Sequence, residues 1–181
     1  EAFDKIARVL GYPYPGGPHI DVLAKQGNPD AIVFPRPLLE KGNFDFSFSG
    51  LKSAVLNYIN GKQQKEESIC HEDVAASFQK AITDVLVEKM KEAAHALGET
   101  KIALAGGVSA NSGLQRDLQA MCEGEGLTYL TAGSMLATDN AAMIGCRAYY
   151  MAQADKFSNY TLNAKPSIPL GSDLWKGNQH G

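Results

Sequence analysis

The sequence predicts an α/β protein in which a layered sheet is flanked by helices. Between about residues 70 and 155, short apolar runs bounded by glycine alternate with helical patterns, as expected of βαβ units. In addition, 44% of the 181 residues are hydrophobic and 20% are charged, a composition typical of a folded chain rather than a disordered one.

The chain is predicted to begin with two helices. The first covers about residues 1–10, with its apolar side chains on one face, and ends at Gly11. The stretch "YPYPGGP" follows as an irregular loop, because proline and glycine dominate it. Pro18 then lies in the first turn of a short helix that continues to about Ala24.

A strand and a third helix are predicted after a surface connection over residues 26–42. "FDFSFSG" alternates aromatic with small polar residues, which predicts a strand with one face in the core. Ser49 is predicted to cap a helix that runs to about Asn60, before the polar loop "INGKQQKEES".

The second half contains the longest predicted helix, over residues 71–97, whose apolar residues recur at spacings of three and four. Gly98 ends this helix. The strand "KIALAG", a helix to about Cys122, the strand "LTYLT" and a helix over about 139–154 follow. This order predicts a parallel arrangement of the two strands.

Two loops follow these strands, and in parallel sheets ligands bind at the carboxyl ends of strands. In "AGGVSAN", Gly106 and Gly107 let backbone amides approach a ligand, and the helix N-terminus beyond favours an anion. Asn111 either caps that helix or directs its amide at a ribose or phosphate. An ordinary strand-to-helix turn is the alternative.

Three carboxylates have two interpretations each. In "TAGSMLATDN", Asp139 or Thr138 caps a helix, or Asp139 binds a metal together with ligands from elsewhere. Asp21 follows the glycines of "YPYPGGP" and either accepts from ligand hydroxyls or belongs to a simple helix start. Asp4 is a site residue or a surface charge.

Charge, cysteine content and hydropathy indicate which kinds of partner and location to expect. A formal charge of −3 gives no overall attraction to nucleic acid. The three cysteines form no CxxC pair, which favours buried, reduced thiols and a cytoplasmic location. No apolar run reaches the roughly 20 residues of a membrane span. The first residue is Glu1 and lies in helical register, so we expect a piece of a longer protein.

Five stretches in this order, "EAFDK", "YPGGPHID", "FDFSFSGLKSAV", "GGVSAN" and "TDNAAMIG", resemble the tRNA adenosine threonylcarbamoyltransferase family of the bacterial TsaD type, which also carries an older glycoprotease (metallopeptidase) label. The resemblance covers about residues 1–150. It implies an actin-like ATPase (ASKHA, ribonuclease H-like) fold, of which this chain would be the second lobe. The implied parts are connecting helices and a substrate loop at 1–42, the lobe at 43–160 and a tail at 161–181.

The resemblance also implies roles for individual residues. Asp139 matches a ligand of the catalytic metal, usually iron, whose histidine ligands in the family's first lobe have no counterpart here. The residues implied to line the substrate pocket are Asp4, Gly17, Asp21, Gly106, Gly107 and Asn111.

The implied reaction moves a threonylcarbamoyl group from threonylcarbamoyl-AMP to the exocyclic amine of the adenine beside the anticodon, in tRNAs that read ANN codons. The implied partners are tRNA, a TsaB-like paralogue and a TsaE-like ATPase, without a membrane. Two alternatives stay open at this point: a sugar or acetate kinase of the same fold, and a catalytically silent scaffold paralogue.

Overall fold

The computed structural model describes residues 1–37 and 42–168, so the end of the predicted tail, 169–181, lies outside the described residues. The described residues fall into two compact units, divided between Asp139 and Asn140. The first unit contains helices α1 (Ala2–Val9), α2 (Gly16–Ala24), α3 (Ser49–Gln64), α4 (His71–Leu97) and α5 (Ser112–Glu125), with strands β1 (Lys101–Leu104) and β2 (Thr128–Thr131). The second contains α6 (Ala141–Gln153). Short 3-10 turns cover Gly107–Ala110 and Ser134–Leu136.

The α/β class is confirmed in its coarse form by a small sheet. β1 and β2 pair in parallel, with Lys101 opposite Thr128 and Leu104 opposite Thr131, and α5 connects them. Because the strands are parallel, the loops that follow them lie at the same edge of the sheet. This arrangement places "AGGVSAN" and the start of "TAGSMLATDN" where the sequence predicted them.

Helix α4 connects two hydrophobic clusters. Its 27 residues make it about 40 Å long. The larger cluster joins its N-terminal half to α1, α2 and α3 through fully buried side chains such as Phe78, Ile6, Ile20 and Leu51. The smaller cluster joins its C-terminal half to β1 and α5 through Ala94, Ile102 and Cys122.

Several predicted helix limits agree with the structure. The prediction for α4 matches both ends, and Gly98 terminates it with φ of 65°. Pro18 lies in the first turn of α2, although that helix already begins at Gly16, inside the stretch expected to be irregular. A glycine in the left-handed conformation is the usual way to end a helix, because it has no Cβ to crowd the carbonyl.

Helices α3 and α6 differ from the prediction at their ends. The cap position of α3 is Phe48, one residue before Ser49, and the helix continues through Gln64, into the stretch predicted as a loop. Helix α6 is capped by Asn140, whose Oδ1 accepts from the Met143 amide at 3.0 Å, so neither Thr138 nor Asp139 holds that position.

The predicted strand over "FDFSFSG" is wrong. Residues 43–48 adopt no regular structure, and Phe44 and Phe46 are 46% and 51% exposed, so they are not core residues. An alternating pattern forms a strand only where a neighbouring strand accepts its backbone hydrogen bonds, and the two described strands pair with each other. The Asn43 side chain instead accepts from the Asp45 amide, and the buried Lys89 donates to the Asn43 carbonyl.

None of the helices in the described part of the chain is both long enough and apolar enough to cross a membrane. The three cysteines are free thiols, but the prediction that they are buried is confirmed for Cys122 and wrong for Cys70 and Cys146, which are exposed.

Candidate nucleotide-binding loop and its supports

The loop after β1 begins with a glycine that its backbone requires. Gly106 has φ of 87°, a conformation that side chains with a Cβ rarely adopt. The Gly106 carbonyl accepts from the Ser109 amide at 2.9 Å and so starts the 3-10 turn that separates the strand from α5. Gly107 is exposed, and a Cβ there would meet no atom within 4 Å. This part of the loop therefore presents its backbone to open space.

Asn111 caps α5, so the capping role that the sequence left open is present in the structure. Its Oδ1 accepts from the Leu114 amide at 2.9 Å. Its Nδ2 donates to Gln79 Oε1 at 2.7 Å, and the residue is 8% exposed. These bonds use one lone pair and one N–H of the amide, which has two of each. Contact between Asn111 and a nucleotide stays a prediction.

Asp21 joins α2 to the start of α5. Its Oδ1 accepts from the amide and the hydroxyl of Ser112, at 3.0 and 2.9 Å, across 91 positions of sequence. Its Oδ2 pairs with Lys25 at 3.1 Å. A carboxylate at a helix N-terminus is stabilised by the helix dipole. Asp21 therefore already neutralises part of the positive partial charge at the start of α5, which the sequence analysis expected a ligand anion to use.

Asp4 places a carboxylate at the N-terminus of α2 in the same way as Asp21 does at the N-terminus of α5. Its Oδ1 accepts from the Gly16 amide at 2.7 Å. The helices cross closely there, because a Cβ on Gly16 would lie 2.6 Å from the Ala7 Cβ. The next residue differs: a Cβ on Gly17 would meet nothing within 4 Å. Gly16 is therefore needed for packing, whereas Gly17 has open space beside it.

These contacts bring most of the predicted site residues together. Gly17 and Asp21 lie one turn apart on α2, and Asp21 binds the residue directly after Asn111. The sequence did not single out three residues that complete this set: Gln79, Ser112 and Gly113. Gln79 had a readable signal, since it lies on the apolar stripe of α4 between the buried Ala75 and Ile82 and is itself 7% exposed.

Asp139 is not joined to this set. It is exposed at the end of the first unit and forms no hydrogen bond or ion pair with the other described residues. Across residues 1–37 and 42–168, no three His, Cys, Asp or Glu side chains are grouped so that they could hold a metal ion. One carboxylate does not hold a transition metal. The described residues therefore do not make a metal site by themselves.

The fold and this loop define an α/β protein with a glycine-containing loop at the carboxyl edge of a parallel sheet. The family described as TsaD: tRNA N6-adenosine threonylcarbamoyltransferase matches residues 1–146. The chain belongs to this family.

Curated relatives agree. The chain is 54% identical over 170 residues to the tRNA N6-adenosine threonylcarbamoyltransferase of Moorella thermoacetica, and 51% identical over 170 residues to that of Clostridioides difficile. It is 50% identical over 171 residues to that of Clostridium perfringens. Each match covers 94% of this chain and 50% of the relative, so the chain spans about half the length of these proteins. The matches favour neither the kinase nor the scaffold alternative.

Proposed function

We propose that this chain supplies one part of the site of a tRNA threonylcarbamoyltransferase with the actin-like fold, and that the part it supplies faces the adenylate half of threonylcarbamoyl-AMP. The observation that carries the proposal is the pair of bonds from Asp21 to Ser112. These bonds hold the glycine turn of α2 beside the loop from Gly106 to Asn111, so two stretches far apart in sequence can contact one ligand.

In the proposed reaction the exocyclic amine of adenine attacks the carbamoyl carbon of the mixed anhydride. A C–N bond forms, the C–O bond to the phosphate breaks, AMP leaves and the amine loses a proton. The backbone amides of Gly17, Gly106 and Gly107 would bind the adenylate and its phosphate, since nothing crowds these positions. Asn111 would orient the nucleotide through the free half of its amide.

Asp4 and Asp21 act differently in this proposal from simple ligand acceptors. Each has one carboxylate oxygen committed to a helix N-terminus, so their main contribution is to hold α2 in place. Asp21 is bonded through both oxygens, and its side chain is 14% exposed, which leaves a small accessible area for a hydroxyl of the ligand.

We propose Asp139 as one ligand of a metal ion, with iron as the expected metal and its other ligands outside the described residues. A bound divalent metal supplies Lewis acidity toward carbamoyl or phosphate oxygens. The formal charge of −3 indicates that the positive surface for tRNA lies elsewhere in the assembly. A TsaB-like paralogue and a TsaE-like ATPase are the proposed partner subunits, in the cytoplasm.

The proposal is testable in a full-length chimera, in which this chain replaces the 170-residue stretch that it matches in the Moorella thermoacetica relative. Asp139→Ala should lower both the bound metal, measured by elemental analysis, and the transfer of labelled threonylcarbamoyl to tRNA. The matched control is Asp30→Ala, which removes another exposed carboxylate. Unchanged metal content and transfer in Asp139→Ala would overturn the assignment of this residue.

A further inference from the structure

We infer that Gln79 of α4 is a positioning residue for the nucleotide site, acting through Asn111; this inference rests on the proposed function. Gln79 belongs to a helix that contributes no other residue to the predicted pocket. It is 7% exposed, and its Oε1 accepts from Asn111 Nδ2 at 2.7 Å.

The orientation of the Asn111 amide follows from the two groups around it. The Leu114 amide is a donor, so the side chain must turn its oxygen toward it, at 2.9 Å. The nitrogen of Asn111 then faces α4, where only an acceptor is favourable. Gln79 provides that acceptor in a buried position, and an unpaired N–H there would be costly. The two contacts together select one of the two amide orientations.

Gln79 is itself held by close packing against α5. A Cβ on Gly113 would lie 2.4 Å from Gln79 Nε2 and 3.1 Å from its Cδ, so the absence of a side chain at Gly113 makes room for the Gln79 amide. The same Cβ would lie 3.3 Å from Asn111 Oδ1. The Gln79 side chain is therefore held between the body of α4 and the first turn of α5. Because it is held there, its hydrogen bond fixes the orientation of the Asn111 amide.

This geometry makes a specific prediction about ligand binding. With the amide orientation set by Leu114 and Gln79, the second N–H of Asn111 keeps a constant direction. Without the Gln79 acceptor, the nitrogen of Asn111 loses its partner, and the side chain gains other rotamers that weaken contact with the ligand. The effect should appear in substrate affinity more than in turnover, because the chemistry lies at the carbamoyl group.

The experiment is a double-mutant cycle in the full-length chimera, with threonylcarbamoyl-AMP as the probe. Gln79→Met keeps the length of the side chain and removes the acceptor. It should raise KM about tenfold, a loss of about 1.4 kcal/mol in binding, with kcat within about twofold. Asn111→Ala should raise KM by at least as much. In the Asn111→Ala background, Gln79→Met should add less than about a twofold change.

A matched control comes from the same helix. Thr83→Val alters another buried polar side chain of α4, whose hydroxyl donates to the Lys80 carbonyl at 3.2 Å, and it should leave KM unchanged. If Gln79→Met does not fold, Gln79→Glu replaces it, because its carboxylate still accepts from Asn111. That variant should keep KM within about threefold of the parent.

The outcomes separate the two proposals. If Asn111→Ala leaves KM unchanged, the nucleotide-binding role of Asn111 fails and this inference fails with it. If Asn111→Ala raises KM but Gln79→Met does not, only the inference about Gln79 is overturned. Independent, multiplying effects of the two variants, or a Gln79→Glu that raises KM tenfold or more, also overturn it.

Discussion

Replacing Asp21 by alanine should destabilise the first unit, because this carboxylate caps α5 and pairs with Lys25. The Asp21 side chain is 14% exposed and accepts two hydrogen bonds from Ser112, at 3.0 and 2.9 Å. Loss of a capping side chain costs about 0.5–2 kcal/mol, and bonds to a charged acceptor lie at the upper end of that range. We therefore expect the free energy of unfolding to fall by about 2 kcal/mol.

Two variants of the partners of Asp21 show how much of this loss of stability comes from each contact. Lys25→Ala removes only the ion pair of a lysine side chain that is 58% exposed, so it should cost less than about 0.5 kcal/mol. Ser112→Ala removes the hydroxyl bond but leaves the amide bond, so it should cost about 1 kcal/mol. The expected order of destabilisation is Asp21→Ala, then Ser112→Ala, then Lys25→Ala.

Urea unfolding followed by far-ultraviolet circular dichroism measures these differences, provided that the slope with urea is the same in all variants. In a chain of this size a loss of 2 kcal/mol corresponds to a fall in Tm of about 4–8 °C. If Asp21→Ala is no more destabilising than Lys25→Ala, the bonds to Ser112 do not hold α2 to α5, which would contradict a site shared by the two helix starts.

Four further variants test other parts of the structure by the same method. Gly113→Ala should destabilise by about 1–3 kcal/mol because its Cβ has no room, whereas Gly124→Ala in the same helix has open space and should stabilise by up to about 1 kcal/mol; equal effects would contradict the packing. Phe78→Ala, at a fully buried position, should cost about 3–5 kcal/mol, and a loss below 1 kcal/mol would place the core elsewhere. The hydrogen bond from Lys91 lowers the pKa of Glu125 from its usual 4.5, so this stabilisation is present above pH 4.5 and lost as the pH falls through the lowered pKa. Glu125→Gln should therefore reduce stability at neutral pH and not at strongly acid pH, and a difference that persists in acid would refute this.

The sequence predicted the parts of the fold that depend on local chemistry. The spacing of apolar residues predicted both ends of α4. Gly98 ends the helix, as predicted, and it does so in the left-handed conformation. The order of strands and helices was enough to predict that β1 and β2 are parallel and that their following loops share an edge. A cap at Asn111 was one of the two roles that the sequence left open, because asparagine directly before a helix has a known local role, and the structure contains this cap.

The predictions from sequence failed where the local structure depends on residues that are distant along the chain. "FDFSFSG" has the pattern of a strand, but no described neighbour pairs with it, so residues 43–48 follow local hydrogen bonds instead. The hydrogen bonds between Asp21 and Ser112 span 91 positions of sequence, and no local pattern around either residue predicts them. Gln79 was missed for the same reason, although a polar residue on an apolar stripe is a signal that can be read.

The most direct test of the account is the modification of tRNA by the chimera that carries this chain. The substrates are threonylcarbamoyl-AMP and tRNA reading an ANN codon, with the required partner subunits supplied, and the product nucleoside is identified by mass spectrometry. We predict threonylcarbamoyl-modified adenosine at a rate within about tenfold of the unaltered Moorella thermoacetica relative, a difference in barrier below about 1.4 kcal/mol. A folded chimera that forms no such nucleoside, while the relative does, would contradict the proposed function.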